Sequence, residues 1–209
     1  MKKPLRAPAD ESLVLAGPGR GEVRERASRF LAFAYPVSGT RKAADILAGL
    51  KRQYHDATHI AYAWRLGVGP TAAARSSDAG EPSGTAGKPI AAALDSAGVQ
   101  DVLVAVVRYF GGTRLGTGGL ARAYRAAADR AIAAAGRKTL RRTSRVIVSC
   151  PYEKLGAARR LVRPPEVTLA GESFDPQPVL HFDVFASRLP QLLEALEEAR
   201  LSYELAERR

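Results

Sequence analysis

The hydrophobic residues of the first half of the chain follow strand and helix periods in turn. The apolar run at residues 30–37 predicts a strand that Pro36 ends. From Thr40 to about Arg52, apolar residues recur at three- and four-residue spacing, which predicts an amphipathic helix. Residues 59–66 alternate strictly, which predicts a strand with two distinct faces.

The next elements surround two glycine-rich segments. Residues 67–89 are rich in Gly, Pro, Ser and Thr and predict a long loop, followed by a helix at residues 90–96. Residues 102–110 are almost continuously apolar and β-branched, as is typical of a central strand covered on both faces. The glycine cluster at 111–119 then leads to a predicted helix at residues 120–135, with an apolar stripe along one side formed by Leu120, Tyr124, Ala127 and Ala131.

The last third of the chain has a different pattern of apolar and polar residues. Residues 137–145 are basic and lack periodicity, and we place a domain boundary there, after residue 139. The remaining pattern predicts strands and helices in the order βαββαβ, which is the ferredoxin-like order. These elements are the strands 146–150, 167–174, 179–186 and 201–205, and the helices 152–161 and 189–199. We therefore predict an α+β protein with two domains, residues 1–139 and 140–209.

The charge is concentrated in the first of these domains. The whole chain carries 32 Lys/Arg and 21 Asp/Glu, a net charge of +11. Residues 1–139 hold 21 basic and 11 acidic residues, whereas residues 140–209 hold 11 and 10. A basic domain beside a nearly neutral one favours contact with a polyanion such as nucleic acid or the ribosome. The alternative is an arginine-rich surface that only contacts solvent.

Cysteine usage and hydropathy indicate a cytoplasmic location. The single cysteine, Cys150, excludes an internal disulfide and fits a reducing compartment. No stretch approaches the about 20 apolar residues that span a bilayer, so we expect no membrane partner. Asp10 and Glu11 interrupt the N-terminal segment, which does not have the pattern of a signal peptide.

Two segments carry the residues that could bind a ligand. The first, DAGEPSGTAGKP at residues 78–89, combines acids, hydroxyls, a cation and glycines. Its candidate site residues are Asp78, Glu81, Ser83, Thr85 and Lys88.

The second segment, RYFGGTRLGTGGL at residues 108–120, leads into a predicted helix N-terminus, where backbone N–H groups bind anions. It matches neither the Walker A loop nor the dinucleotide-binding fingerprint. A tight strand-to-helix turn without a ligand remains an equal alternative. The candidate site residues here are Arg108, Gly111, Gly112, Arg114, Gly116, Gly118 and Arg122.

Taken together, these motifs resemble the YigZ/IMPACT family. The resemblance is carried by residues 78–89, by RYFGG at 108–112, and by LGTGGL and RAY at 115–120 and 122–124. It extends to Ser28-Arg29-Phe30 and to the two histidines His55 and His59, and so covers nearly the whole chain. Ala79 departs from the family pattern, because many members carry a second acid at this position.

The resemblance implies a fold and a function. It implies an N-terminal domain similar to the second domain of a small-subunit ribosomal protein, and a C-terminal domain similar to the last domain of elongation factor G. It also implies translation regulation, with the ribosome, structured RNA or a translation-associated protein as partner. Because fold analogy is a weak basis for function, these partners are expectations.

Catalysis is the less favoured interpretation. His55 and His59 have the four-residue spacing of helical zinc ligands, but His59 begins a predicted strand. Some relatives are described as proline dipeptidases, which need a dinuclear metal site with several carboxylates, and the acids here are few and scattered. We expect Asp78 and Glu81 to accept hydrogen bonds from backbone N–H groups and so hold their loop rigid, with no catalytic residue, metal or cofactor. The alternative is a pocket for a phosphorylated small molecule, with or without weak hydrolase activity.

Overall fold

The computed structural model describes residues 10–68 and 72–206. Residues 1–9 of the N-terminal segment that was compared with a signal peptide lie outside the described residues, as do residues 69–71 of the predicted loop at 67–89. The described chain forms two compact units. We call residues 12–140 the N-terminal unit, and residues 10–11 with 141–206 the C-terminal unit.

A five-stranded antiparallel sheet forms the centre of the N-terminal unit. Its strands are β2 (Gly19–Glu25), β3 (Ser28–Pro36), β4 (His59–Leu66), β5 (Ala73–Ser77) and β6 (Val102–Tyr109), in the order β2-β3-β6-β4-β5. Two further strands, β1 (Glu11–Leu15) and β7 (Arg137–Arg141), form a separate two-stranded sheet. The predicted central strand is confirmed, since β6 lies in the middle and is buried from Val102 to Arg108.

Three helices cover the two faces of this sheet. They are α1 (Thr40–Gln53), α2 (Gly87–Ala97) and α3 (Gly116–Ala135). Helix α1 packs on one face, where Leu50 joins Leu31 and Val107. Helices α2 and α3 pack on the other face, where Ile90 and Tyr124 join the main core. The alternation of β4 is confirmed by this arrangement, because its two sets of side chains enter different clusters.

Four strands were missed in the sequence, and β2 shows why. Its pattern, GRGEVRE, contains two glycines that predict a loop rather than a strand. In the structure these glycines allow β2 to lie directly on α3. A Cβ atom on Gly19 would overlap the carbonyl oxygen of Ala131, and one on Gly21 would stand 2.7 Å from the nitrogen of Ala131. Strands β1, β5 and β7 were also missed: β5 lies within the predicted loop, and β7 lies within the basic segment at the predicted domain boundary.

The start of α3 also differs from the prediction. The helix begins at Gly116 and not near Leu120, so Gly116, Gly118 and Gly119 form its first turn. Glycine has a low helix propensity, and the sequence pattern therefore assigned these residues to a loop. The predicted buried stripe is confirmed from Leu120 onwards.

The C-terminal unit has a four-stranded antiparallel sheet in the order β11-β8-β10-β9. Its elements are β8 (Thr143–Ser149), α4 (Leu155–Arg159), β9 (Val167–Ser173), β10 (Val179–Phe185), α5 (Leu189–Glu198) and β11 (Ser202–Leu205). The predicted helix at 152–161 is shorter than expected, because its first part, Tyr152–Lys154, is a single 3₁₀ turn. Both units mix helices and antiparallel strands, which confirms the predicted α+β class.

Cys150 is buried in the core of the C-terminal unit with 2% of its surface exposed. Burial raises the pKa of its thiol, which keeps it protonated and unreactive. Within residues 10–68 and 72–206, no helix combines the length and the apolar character needed to cross a bilayer.

Candidate functional site

Both glycine-rich turns leave the five-stranded sheet at the same end. Strands β3 and β4 begin at this end and β6 ends there, because both neighbours pair with β6 in antiparallel register. The first turn, residues 78–86, follows β5, which ends beside β4. The second turn, residues 110–115, follows β6. The structure therefore brings the two groups of candidate residues to one end of the N-terminal unit.

The first turn is organised around the carboxylate of Asp78. Its Oδ2 accepts a hydrogen bond from the backbone nitrogen of Gly84 at 2.8 Å. Its Oδ1 accepts bonds from Ala86 at 2.9 Å and from Gly87 at 2.8 Å, where α2 begins. Asp78 thus caps α2, and its negative charge takes the position that an anion would occupy at this helix N-terminus. The prediction that the acids of this loop accept backbone hydrogen bonds is confirmed for Asp78.

These contacts shift the titration of Asp78. Desolvation by burial favours the neutral acid, but the amides of Gly84, Gly87 and Ala86, together with the charge of Lys88, outweigh it and lower the pKa of Asp78. A carboxyl group with a lowered pKa in the folded state stabilises the fold above its unfolded pKa of about 3.9. That contribution is lost as the pH falls through the lower folded value.

Replacing Asp78 by alanine tests this role. At neutral pH we expect the free energy of unfolding to fall by about 1–2 kcal/mol, since α2 loses its cap. The difference in the free energy of unfolding between Asp78→Ala and the parent protein is expected to become smaller in acid, where protonation removes the charge of Asp78 in the parent. Urea unfolding at neutral pH and near pH 3 measures both values. A difference of the same size at both pH values would contradict the assignment.

Glu81 lies at the centre of a buried hydrogen-bond network. Its side chain is 2% exposed and accepts two bonds from Nη1 of Arg108, at 2.6 and 2.9 Å. The hydroxyl of Tyr124 donates a third bond at 2.7 Å. Burial and the hydrogen bond to Glu81 raise the pKa of Tyr124, so its hydroxyl stays protonated. Glu81 therefore joins the first turn to β6 and to α3, through side chains and not through the backbone bonds that the sequence suggested.

Arg108 is enclosed by this network and by two aromatic rings. Its Cζ lies over the rings of Phe30 and Phe110, at 5.5 and 5.4 Å from the ring centroids. Only 5% of the residue is exposed, and its Nε has no hydrogen-bond partner among the described residues. The guanidinium thus faces Glu81 inside the protein, whereas the sequence analysis placed it on a binding surface.

His59, the first residue of β4, contacts the backbone of the first turn. Its Nδ1 lies 2.9 Å from the carbonyl oxygen of Ala79, which can only accept, so Nδ1 carries the proton. Its Nε2 is 4.0 Å from Oε2 of Glu81. Ala79 and Gly80 both have left-handed backbone conformations, with φ of 49° and 90°. No group of three or more metal-binding side chains occurs among the residues that the structure describes.

The second turn packs against the hairpin between β2 and β3. The backbone nitrogen of Phe110 donates to Oγ1 of Thr58 at 3.0 Å, and that of Gly111 donates to Oγ of Ser28 at 3.3 Å. A Cβ atom on Gly111 would overlap the backbone of Ala27. This glycine is therefore required by close packing, which fits the strand-to-helix interpretation of the motif.

Three of the predicted cations, Lys88, Arg114 and Arg122, are exposed around the turns. None of them has a carboxylate within ion-pair distance among the described residues. Lys88 passes over Gly84, with its Cδ 3.4 Å from the position of a Cβ there. Nη1 of Arg122 stands at the same distance from a Cβ on Gly118, in the first turn of α3. Arg114 lies in the second turn itself. The first turn of α3 contains no acid and has no side-chain cap.

The remaining candidate residues are placed as follows. Ser83 is exposed, whereas Thr85 is buried and its hydroxyl donates to the carbonyl oxygen of Pro82 at 2.7 Å. Gly112 and Gly116 are exposed and have φ of 85° and 70°, which glycine adopts without strain.

The side chains that hold the turns in place were not predicted from the sequence. Tyr124 was assigned to the apolar stripe of α3, and Thr58 and Ser28 were given no role. The role of Tyr124 could have been predicted from its position on the buried stripe, because a buried tyrosine hydroxyl usually makes a hydrogen bond. The two hydroxyl residues have no such signal, because their partners are backbone groups from distant parts of the chain.

A pocket of about 150 Å³ lies elsewhere, between α2 and the β4–β5 hairpin. It is lined by Trp64, Arg65, Ala74, Arg75, Ser76, Ala91 and Leu94. None of the candidate site residues lines it, so the glycine turns are not part of this pocket.

Comparison with known proteins gives consistent results. Residues 26–132 match the Impact N-terminal domain family. The chain is 40% identical over 163 residues to the "IMPACT family member in pol 5′ region" of Thermus thermophilus, covering 78% of this chain and 84% of the relative. It is 33% identical over 136 residues to the IMPACT family member YigZ of Escherichia coli, covering 65% and 67%. A crystal structure described as a hypothetical protein aligns with a TM-score of 0.63 at 26% identity, covering 96% of this chain and 99% of that one.

Proposed function

The chain belongs to the IMPACT family, and on that premise we propose that it is a non-catalytic cytoplasmic protein of translation regulation. Its proposed partner is the ribosome or another structured RNA. The proposed contact surface is the end of the N-terminal unit that carries the two glycine turns. We call this end the glycine-turn surface and define it by Lys88, Arg114, Arg122 and the exposed backbone of residues 111–118.

Domain architecture supports this proposal by analogy. We propose domains at 1–139 and 140–209, the first similar to the second domain of a small-subunit ribosomal protein and the second similar to the last domain of elongation factor G. The order of elements in the C-terminal unit, βαββαβ, and its strand order β11-β8-β10-β9 support a ferredoxin-like assignment. One proposed parallel is to a component of the ribosome and the other is to a factor that acts on the ribosome.

Uncompensated positive charge around the first turn of α3 is the observation that carries the proposal. Residues 12–140 hold 18 Lys/Arg and 9 Asp/Glu, a net charge of +9. Arg114 and Arg122 add their charge to the partial positive charge of the helix N-terminus, which no acid of the first turn offsets. Such a potential attracts phosphate groups.

The engagement of the two acids supports binding rather than catalysis. A general base must be free to take a proton from a substrate. Three backbone amides already occupy Asp78, and Arg108 and Tyr124 occupy Glu81. In the proposal these acids hold the turns in position, and the exposed cations and amides meet the phosphate groups of the partner.

The salt dependence of binding tests the proposed contact. Affinity for an RNA hairpin, measured by fluorescence anisotropy, is expected to fall steeply between low and moderate salt, because each phosphate contact releases counterions. Arg114→Gln and Arg122→Gln should each weaken binding and reduce the slope of log Kd against log salt by about 1. Co-sedimentation with purified ribosomal subunits at graded ionic strength extends the test to the proposed partner.

Arg160 offers a matched control. Its Nη1 lies 3.7 Å from the position of a Cβ on Gly156, on helix α4 of the nearly neutral C-terminal unit, much as Arg122 lies over Gly118. Arg160→Gln should leave both affinity and slope unchanged. Affinity that stays constant as salt rises, or an equal effect of all three variants, would remove the proposal.

A further inference from the structure

One aromatic side chain of the N-terminal unit departs from the burial pattern around it. Residues 102–108 of β6 are all buried, but Phe110, two residues further on, is 46% exposed. Among the described residues of this unit, Leu140 is the only other large hydrophobic residue with comparable exposure. A single exposed hydrophobic residue is ordinary in itself, so the surroundings of Phe110 must decide whether it has a role.

The ring of Phe110 is held in position from beneath. The guanidinium of Arg108 lies under it, with Cζ 5.4 Å from the ring centroid. Arg108 is fixed in turn by its two hydrogen bonds to Glu81. The backbone of Phe110 is held by the bond to Thr58. A ring that is already immobilised loses little conformational entropy when a ligand packs on it.

The space beside the ring is open and cationic. Gly111 and Gly112 follow Phe110 and have no side chains that could cover it. Nη1 of Arg26 donates to the carbonyl oxygen of Arg114 at 3.2 Å, which places a second exposed arginine on the same turn. A flat apolar ring is therefore flanked by glycines and by positive charge.

These features fit one class of ligand better than others. A protein partner that docks on apolar surface would require several apolar neighbours, and Phe110 is flanked by glycines and arginines instead. An unpaired nucleotide has both a flat base that stacks on an aromatic ring and a phosphate that pairs with arginine. Bases inside a duplex are already stacked and cannot reach the ring.

We propose that Phe110 is a stacking platform for an unpaired RNA base, and that the glycine-turn surface therefore prefers single-stranded segments to duplex RNA. This inference rests on the proposed RNA-binding function and adds the structural class of RNA that the surface recognises. In it, the buried Glu81–Arg108 pair has the role of holding the platform in place.

The test compares two RNA probes. The first is a labelled single strand of about 12 nucleotides, a length within the footprint of small single-strand-binding domains. The second is the duplex that this strand forms with its complement. Phe110→Ala should weaken binding to the single strand by roughly tenfold or more, the effect expected when one base loses its stacking partner. Binding to the duplex should not change. The salt slope should also stay the same for both probes, because the substitution removes no charge.

Two further variants keep the test independent of folding. Phe110→Trp retains an aromatic platform and should bind the single strand at least as tightly as the parent. Phe174→Ala removes a ring that is 41% exposed in the C-terminal unit and should have no effect on either probe. Far-ultraviolet circular dichroism confirms that each variant is folded.

The outcomes separate this inference from the proposed function. If the parent protein binds neither probe in a salt-dependent manner, the proposed function itself fails. If the parent binds both probes but Phe110→Ala binds the single strand as tightly as the parent does, only the stacking platform is excluded. An equal loss for single strand and duplex would identify Phe110 as a support of the turn, and would also overturn the inference.

Discussion

Replacing Glu81 by alanine is expected to lower the free energy of unfolding of the N-terminal unit by about 3–5 kcal/mol, the usual effect of removing one partner from a buried ion pair. The variant leaves the charge of Arg108 buried without its partner. It also leaves the hydroxyl of Tyr124 without an acceptor, in a position with no exposed surface. The chain has a single tryptophan, Trp64 in β4 of this unit, so urea unfolding followed by tryptophan fluorescence reports on the unit directly.

Two comparisons identify the cause of this effect. Tyr124→Phe removes one hydrogen bond and should cost only about 1 kcal/mol. The double variant Glu81→Leu with Arg108→Met removes both charges and should recover most of the stability lost in Glu81→Ala, because no unpaired charge then remains buried. If Glu81→Ala alone changes the stability by less than about 1 kcal/mol, the pair behaves like one exposed to solvent and the network described here is wrong.

The elements that the sequence predicted well are those in which one physical requirement dominates. Strand β4 alternates because its two faces enter different hydrophobic clusters, and its bounds, His59–Leu66, agree with the prediction. Strand β6 is apolar from Val102 to Val107 because helices cover both of its faces. The buried side of α3 is set by its contact with the sheet, so its stripe was visible from Leu120 onwards.

Three of the four missed strands, β2, β5 and β7, bury few large apolar side chains. In β2 the contact with α3 is made by Gly19 and Gly21, and glycine in a sequence resembles a break in structure. The exposed edge strand β5 and the exposed strand β7 bury little apolar surface, so hydropathy gives no signal for either. Of these three strands, only β7 pairs with a strand distant in sequence, β1, whereas β2 and β5 pair with the neighbouring strands β3 and β4.

The candidate site was predictable in composition but not in connectivity. The sequence identified both turns, the hydrogen-bonding role of Asp78 and the exposed cations. It did not reveal that Glu81 pairs with Arg108, since the two are separated by α2 and most of β6. That pairing moves Arg108 from the proposed surface to its support, which leaves Arg114 and Arg122 as the main cations for an RNA contact.

Gly111→Ala is expected to lower the free energy of unfolding by about 2–3 kcal/mol, at the upper end of the usual cost of overpacking. The added methyl group would overlap the carbonyl carbon and oxygen of Ala27. These are backbone atoms in the turn between β2 and β3, beside Arg26 with its left-handed φ of 51°. They cannot rotate away as the end of a flexible side chain can, so the second glycine turn must shift relative to the turn between β2 and β3. Because the shifted turn carries Phe110 and Arg114, RNA affinity should fall together with stability.

Gly49→Ala is the matched control for this substitution. Gly49 lies in α1, where an added Cβ meets no atom within 4 Å, and alanine there should stabilise the protein by about 0.5–1 kcal/mol through its higher helix propensity. The same chemical change is thus expected to have opposite signs at the two positions, as measured by the midpoint of urea unfolding. If Gly111→Ala leaves the midpoint unchanged, the second turn does not pack on the β2–β3 hairpin as described, and its glycines must be explained by contact with a ligand alone.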